Sequence, residues 1–310
     1  MSAGLHPQVR ELIEAAGVAP EEPLPPNLEA DRASYLQTAL ELGGAVETVA
    51  RVEDVVIPSA AGSRVRARAY WPRVPADALG VLIWLHGGGW YIGDVEGFDR
   101  VARQLANASV GVCVSVDYRL APEHRYPAAV QDARAAVAWA VGAGAEQLGT
   151  DAARVLVGGD SAGGNLAAVA ARHEHEAVRA QLLVYPALDA AMTGDSYREF
   201  AEGPMLTAAD MALCWRTYLG DRFGADDPDA SPLGARDLRG APPAYIAVAG
   251  HDPLRDDGLR YAAALRAAGV AVVVDRYDDV VHGFLRWGGV VDRARELIEA
   301  LGDYARVSIR

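Results

Sequence analysis

The chain reads as an α/β protein, a mostly parallel sheet with helices on both faces, and three observations predict it. Short, wholly apolar runs of strand length recur, as at residues 81–85 and 111–116. Stretches of helical period stand between them, as at 97–108 and 128–141. The chain is also long enough, at 310 residues, to bury a large core without a disulfide or metal; a fold of this size hides roughly 75% of the surface its unfolded form exposes. A strand that is apolar at every position must be covered on both sides, and parallel strands joined by crossover helices satisfy that demand.

The elements follow in order. Residues 6–16 and 28–42 carry helix-period apolar positions, and Pro20-Glu21-Glu22-Pro23-Leu24-Pro25-Pro26 breaks them apart. At 52–57 and 65–70 the pattern becomes that of strands, joined by a turn around Ala61-Gly62-Ser63. Strand 81–85, helix 97–108, strand 111–116, helix 128–141, strand 155–157, helix 165–174 and strand 181–185 come next. Residues 190–235 interrupt the rhythm with an amphipathic helix at 207–219 set among Gly, Asp and Pro. Strand 245–249, helix 257–268, strand 270–277 and helix 290–300 complete the chain. The expected organisation is a core of 49–189 and 236–310, with 1–48 and 190–235 forming a helical cap.

The formal net charge of −13 repels phosphate backbones, so no nucleic-acid partner is expected. No lysine occurs anywhere, and every basic residue counted is arginine. That excludes Schiff-base lysine chemistry, a phosphate-loop lysine and a Ser-x-x-Lys hydrolase. Cys113 and Cys214 sit in apolar settings and read as buried free thiols. No leader pattern and no membrane-spanning apolar run is seen, so a cytoplasmic protein is expected. His173-x-His175 with Glu174 and Glu176 lacks a third ligand at a recognisable spacing; it reads as a helix end, and no metal site is expected.

Gly159-Asp160-Ser161-Ala162-Gly163 matches Gly-x-Ser-x-Gly between an apolar strand and an alanine-rich helix. Strand, tight turn and helix is the setting of a nucleophile elbow, which projects the serine hydroxyl beyond the strand end. The flanking glycines let strand and helix approach closely, and the helix N-terminus favours developing negative charge. His86-Gly87-Gly88-Gly89-Trp90 follows strand 81–85. Attack on an ester places negative charge on the former carbonyl oxygen, and backbone N–H groups freed of side chains can converge on it. Gly88, Gly89 and Ala162 are assigned as donors, with His86 fixing the loop.

A triad on an α/β-hydrolase fold runs Ser, acid, His along the chain, the last two after later strands. Asp252 follows strand 245–249 and His282 follows strand 270–277. Asp256, Asp278 and Asp279 are the alternative acids, and His251 the alternative base. The acid would fix the imidazole tautomer and stabilise the imidazolium.

These motifs together resemble the bacterial hormone-sensitive-lipase-like esterases over most of the chain. The resemblance rests on His86-Gly87-Gly88-Gly89-Trp90, Asp117-Tyr118-Arg119-Leu120-Ala121-Pro122-Glu123, Tyr126-Pro127-Ala128-Ala129 and Gly159-Asp160-Ser161-Ala162-Gly163-Gly164-Asn165. It extends through Ala230-Ser231-Pro232-Leu233, Asp252-Pro253-Leu254-Arg255-Asp256 and His282-Gly283-Phe284. It implies an eight-stranded α/β-hydrolase core, a cap, a structural role for 117–132 and cofactor-free hydrolysis of short-to-medium acyl esters. A homodimer is suggested as well. Trp90, Tyr91, Met205, Leu206, Met211 and Trp215 would line the acyl or alcohol pocket or simply pack within the cap. Two rival readings are an amidase or peptidase-like hydrolase with the same triad, and a non-catalytic small-molecule receptor on the same fold.

Overall fold

A computed structural model describes residues 4–16, 27–74 and 79–309. The first helices are α1 (Pro7–Ala16) and α2 (Leu28–Leu42). The hairpin β1 (Arg51–Pro58) and β2 (Arg64–Trp71) follows, then β3 (Leu79–Leu85), α3 (Asp99–Ser109) and β4 (Val112–Asp117). Next come α4 (Ala128–Val141), α5 (Ala143–Leu148), β5 (Thr150–Asp160), α6 (Ala162–His173) and β6 (Val178–Val184). After α7 (Ser196–Glu199) and α8 (Ala208–Leu219), the chain ends with β7 (Ala244–His251), α9 (Arg255–Ala267), β8 (Val272–Val281) and α10 (Asp292–Ser308). The break expected at Pro20-Glu21-Glu22-Pro23-Leu24-Pro25-Pro26 lies outside the described residues.

The strands form one sheet in the order β1-β2-β4-β3-β5-β6-β7-β8. β1 and β2 are antiparallel, as are β2 and β4, and every pairing from β4 through β8 is parallel. Alternation along each buried strand divides the core. Ile83, Leu85, Val114 and Val157 point into a layer with residues of α4, α6, α8 and α9. Leu82, Trp84, Cys113 and Leu156 point into the other, with residues of α1, α3 and α10. Each fully buried Leu, Ile or Val contributes about 1.5–3 kcal/mol relative to exposure, so the two layers hold the sheet rigidly. Cys113 and Cys214 are free and buried, as expected. Among the described residues no helix is long and apolar enough to cross a membrane.

Four elements depart from expectation. β5 spans eleven residues where 155–157 was predicted. Its C-terminal extension, Gly158-Gly159-Asp160, has little strand propensity, but pairing of both glycines with β3 and β6, and of Asp160 with β6, overrides it. β8 runs on to Val281, past the acidic pair predicted as loop. It is an edge strand, so Asp278 and Asp279 can reach Arg276 and Arg293 where the β7 ladder shifts register, and pairing resumes between His251 and Val281. The short helices α5 and α7 were not anticipated; each is under seven residues and too brief to show a period.

The helices of the expected cap lie on opposite layers. Leu5 and Val9 of the N-terminal arm join the layer of α3 and α10. Met211, Cys214, Trp215, Tyr218 and Leu219 of α8 join the layer of α4 and α6.

Candidate active site

Four strands deliver the site. His86 follows the last residue of β3, Ser161 that of β5, Asp252 that of β7 and His282 that of β8. Because these strands run parallel, their C-terminal ends share one rim of the sheet, and residues distant in sequence arrive side by side. Tyr185, the residue after β6, belongs to the same rim. Its ring lies 4.6 Å from that of His282, centroid to centroid.

The turn at Ser161 is sharp. Its φ of 55° and ψ of −118° lie outside the usual regions for an L-residue, a strained conformation that surrounding packing must hold. That packing is close. A Cβ added at Gly163 would lie 1.9 Å from the Leu85 carbonyl oxygen, so only glycine lets α6 press against the end of β3. Asn165, fully buried, fastens α6 by donating to the carbonyls of Ala187 and Ala230 at 2.9 Å each. Ser161 occupies the N-cap position of α6 but makes no side-chain cap.

The Ser161 hydroxyl instead meets His282. Nε2 of His282 stands 2.9 Å from Ser161 Oγ, and its Nδ1 stands 2.8 Å from Asp252 Oδ2. A carboxylate only accepts, so Nδ1 carries a proton and Nε2 is left to accept from the hydroxyl. Asp252 is fully buried, and its other oxygen accepts from the Leu254 N–H at 2.8 Å. The alternative groups are engaged elsewhere. Asp256 accepts from the Ser196 N–H and from Arg255, while Asp278 and Asp279 hold arginines. The His251 ring packs against Phe200.

Beside the hydroxyl lies the glycine loop. Gly88 and Gly89 have φ of 122° and 58°. At Gly88 a Cβ would fall 2.2 Å from the Ile92 carbonyl oxygen, so side-chain absence is a requirement of this turn. The Gly88 carbonyl accepts from the N–H groups of Tyr91 and Ile92. The N–H groups of Gly88, Gly89 and Ala162 have no acceptor among the described residues. Such unpaired donors, at a glycine turn and a helix N-terminus, suit a developing oxyanion.

The base of the loop is held by His86 and by two groups to which the sequence reading gave no role of their own, Asp160 and Tyr118. Asp160, inside the elbow motif and almost fully buried, accepts from the Gly87 N–H at 3.0 Å. Burial pushes its carboxyl up to about 7, against the pull of Arg286. His86 donates from Nδ1 to the Gly87 carbonyl at 2.8 Å and stacks on Tyr118 at 4.3 Å. Tyr118 donates to the His86 carbonyl at 2.8 Å. Burial lowers the His86 imidazole to about 4, leaving it neutral near pH 7, as a loop fixer should be. The position of Asp160 inside the motif was a signal for its role. Tyr118 lies in the 117–132 stretch for which the resemblance implied a structural role, while nothing local marked Arg286.

The six residues named for the substrate pocket separate into two groups. Trp90 and Trp215 are fully buried and stand 4.3 Å apart, with Tyr218 stacked on Trp90 at 4.5 Å. Met211 is buried in the same layer. Tyr91 and Leu206 are half-buried, and Met205 is exposed. His173 leaves α6 to meet Asp229 at 2.8 Å, and no group of three or more metal-type ligands occurs among the described residues.

Comparison with known proteins identifies the family. Residues 82–286 match the family Abhydrolase_3, described as an alpha/beta hydrolase fold. The chain is 43% identical over 254 residues to esterase LipI of Mycobacterium tuberculosis, covering 79% of this chain and 78% of that one. It is 34% identical over 305 residues to an ethyl acetate hydrolase of Pseudomonas putida, covering 94% and 95%. A solved hyperthermophilic esterase from the archaeon Pyrobaculum calidifontis superposes with a TM-score of 0.90, at 39% identity over 98% of both chains. The chain thus belongs to the α/β-hydrolase family, in its hormone-sensitive-lipase-like branch, and is a carboxylic-ester hydrolase.

Proposed function

We propose that Ser161, His282 and Asp252 are the catalytic triad of this esterase, acting on short-to-medium acyl esters through an acyl-enzyme. The observation that carries the reading is the unbroken line from Asp252 through His282 to Ser161, with both contacts under 3 Å. Ser161 Oγ attacks the ester carbonyl as Nε2 of His282 takes its proton, and the oxyanion rests on the N–H groups of Gly88, Gly89 and Ala162. The imidazolium, held by Asp252, returns that proton to the departing alcohol. Water then attacks the acyl-enzyme with the roles reversed, releasing acid and free Ser161.

The small substrate rests on two points. One relative of nearly equal length is named an ethyl acetate hydrolase. The reacting hydroxyl also belongs to a residue only 7% exposed, which suits a narrow acyl group. Residues 1–48 and 190–235 are proposed as the cap over a core of 49–189 and 236–310. Tyr91, Leu206 and Met205 would contact substrate, with Trp90, Met211 and Trp215 stiffening the wall behind them. A homodimer is proposed through the outer edge of β8 around Val273, which is exposed; sedimentation at the monomer mass would reject it.

The deciding experiment is a series of p-nitrophenyl esters from acetate to palmitate, run on the wild type and Ser161→Ala. Turnover should peak at the short end and vanish in the variant, and a phosphonate ester should add its mass at Ser161. Retained turnover in Ser161→Ala would remove the nucleophile from this reading. A matched anilide hydrolysed as fast as its ester would favour the amidase alternative.

A further inference from the structure

Arg32, on α2, is far in sequence from every motif, yet its guanidinium reaches the loop that carries the proposed oxyanion donors. Nε donates to the Tyr91 carbonyl at 2.9 Å. Nη2 donates to the Ala121 carbonyl at 3.3 Å, and Nη1 and Nη2 grip Glu123 at 2.8 and 2.9 Å. Two loops are thereby tied together, and they are also bonded to each other, since the Ala121 N–H donates to the Trp90 carbonyl at 2.9 Å. From Tyr91 the connection to the donors is short. The Tyr91 N–H holds the Gly88 carbonyl at 3.1 Å, on the residue whose own N–H is left for the oxyanion.

We infer that Arg32 is a positioning residue for the oxyanion loop, acting through its two backbone acceptors and not through its ion pair. This rests on the proposed triad and donor assignment. The side chain of Arg32 is 33% exposed and that of Glu123 48%, and pairs so exposed contribute little to stability. The carbonyls of Tyr91 and Ala121 are different, because Tyr91 belongs to the glycine loop itself and Ala121 to the neighbouring loop bonded to it through Trp90. A planar guanidinium, with Nε–H and both Nη groups, can serve these acceptors and Glu123 at once. A single ammonium cannot. α2 has a second hold on the rim, since Arg286 of the His282 loop donates to the Tyr35 carbonyl and lies 3.4 Å over the Tyr35 ring. Arg32 is therefore delivered from a helix fixed at both halves of the site.

The test compares Arg32→Gln, Arg32→Lys and Glu123→Gln with the wild type, with Ser161→Ala as control. Arg32→Gln should lower kcat for p-nitrophenyl acetate about tenfold with KM within about twofold, since small displacements of donors cost rate and not ground-state binding. Phosphonylation of Ser161 should slow by a similar factor. Arg32→Lys should recover part of the loss, and it supplies the same kcat-against-KM reading if the glutamine variant does not fold. Glu123→Gln should stay within about twofold of wild type. A fall in Tm with kcat and phosphonylation unchanged in Arg32→Gln would overturn the inference, as would an equal loss in Glu123→Gln. Activity surviving in Ser161→Ala would instead defeat the triad reading, whatever Arg32 does.

Discussion

Ser161, Asp252 and His282 each stand one residue beyond a parallel strand, whereas Leu206, Met211 and Trp215 hang on a segment joined to the sheet by loops. The first set is placed by sheet register, and its side chains are drawn into hydrogen bonds at 2.8 and 2.9 Å. The second is placed by burial of apolar area, and half of the six named pocket residues ended in solid packing. Directional chemistry sits where covalent geometry and strand pairing leave few options. The segment that carries Leu206, Met211 and Trp215 is held by contacts that many sequences could supply, so it can vary in shape without disturbing the rim.

The sharpest test of that division is Ser161→Ala, expected to lower kcat by about 10⁶ while leaving Tm nearly unchanged, because removal of the proposed nucleophile would leave only donors and binding. Steady-state kinetics and a melting curve on the same sample decide it. Asp252→Asn should follow with about 10⁴ in kcat, by stabilising the wrong imidazole tautomer. A loss below tenfold would move the acid elsewhere.

The 190–235 segment, proposed as part of the cap, should fail the other way. Trp215→Ala removes a fully buried ring from its contacts with Trp90 and Tyr218, and is expected to cost about 3–5 kcal/mol of stability in denaturant unfolding. Its kcat for acetate esters well below the transition should fall less than tenfold. A collapse of chemistry as deep as that of Asp252→Asn would erase the distinction between rim and cover.

The smallest effect concerns Asp160. Its carboxyl is raised by burial to about 7, so between about pH 4 and 7 the folded chain keeps a proton that the unfolded chain has released. Stability carried by this group therefore falls as pH rises through that window and levels off above it. Asp160→Asn keeps an acceptor for the Gly87 N–H but cannot ionise. It should change kcat by less than about fivefold and flatten the stability profile between pH 4 and 7. A variant with the wild-type slope would assign that slope to other groups.

The motif residues were legible because each chemical signature sits beside a strand whose apolar run marks it. Gly159 and Gly163 announced a close approach that the packing of α6 on Leu85 requires. The far end of β8 was not legible, since Asp278 and Asp279 look like loop until an edge strand lets them face solvent. Arg32 and Arg286 were invisible for a similar reason. Surface-type residues gave no pattern, and their partners are carbonyls that any sequence offers.

The sequence alone determined the α/β alternation, the Gly-x-Ser-x-Gly turn, the glycine loop and the order of the proposed serine, acid and base, because these depend on periodicity and on residue types that only certain chemistry uses. The tertiary structure alone decided which acid faces His282, which pocket candidates are buried, and how α2 reaches the glycine loop. Those outcomes depend on parallel strand register and on contacts between segments far apart in the chain, which local composition does not encode.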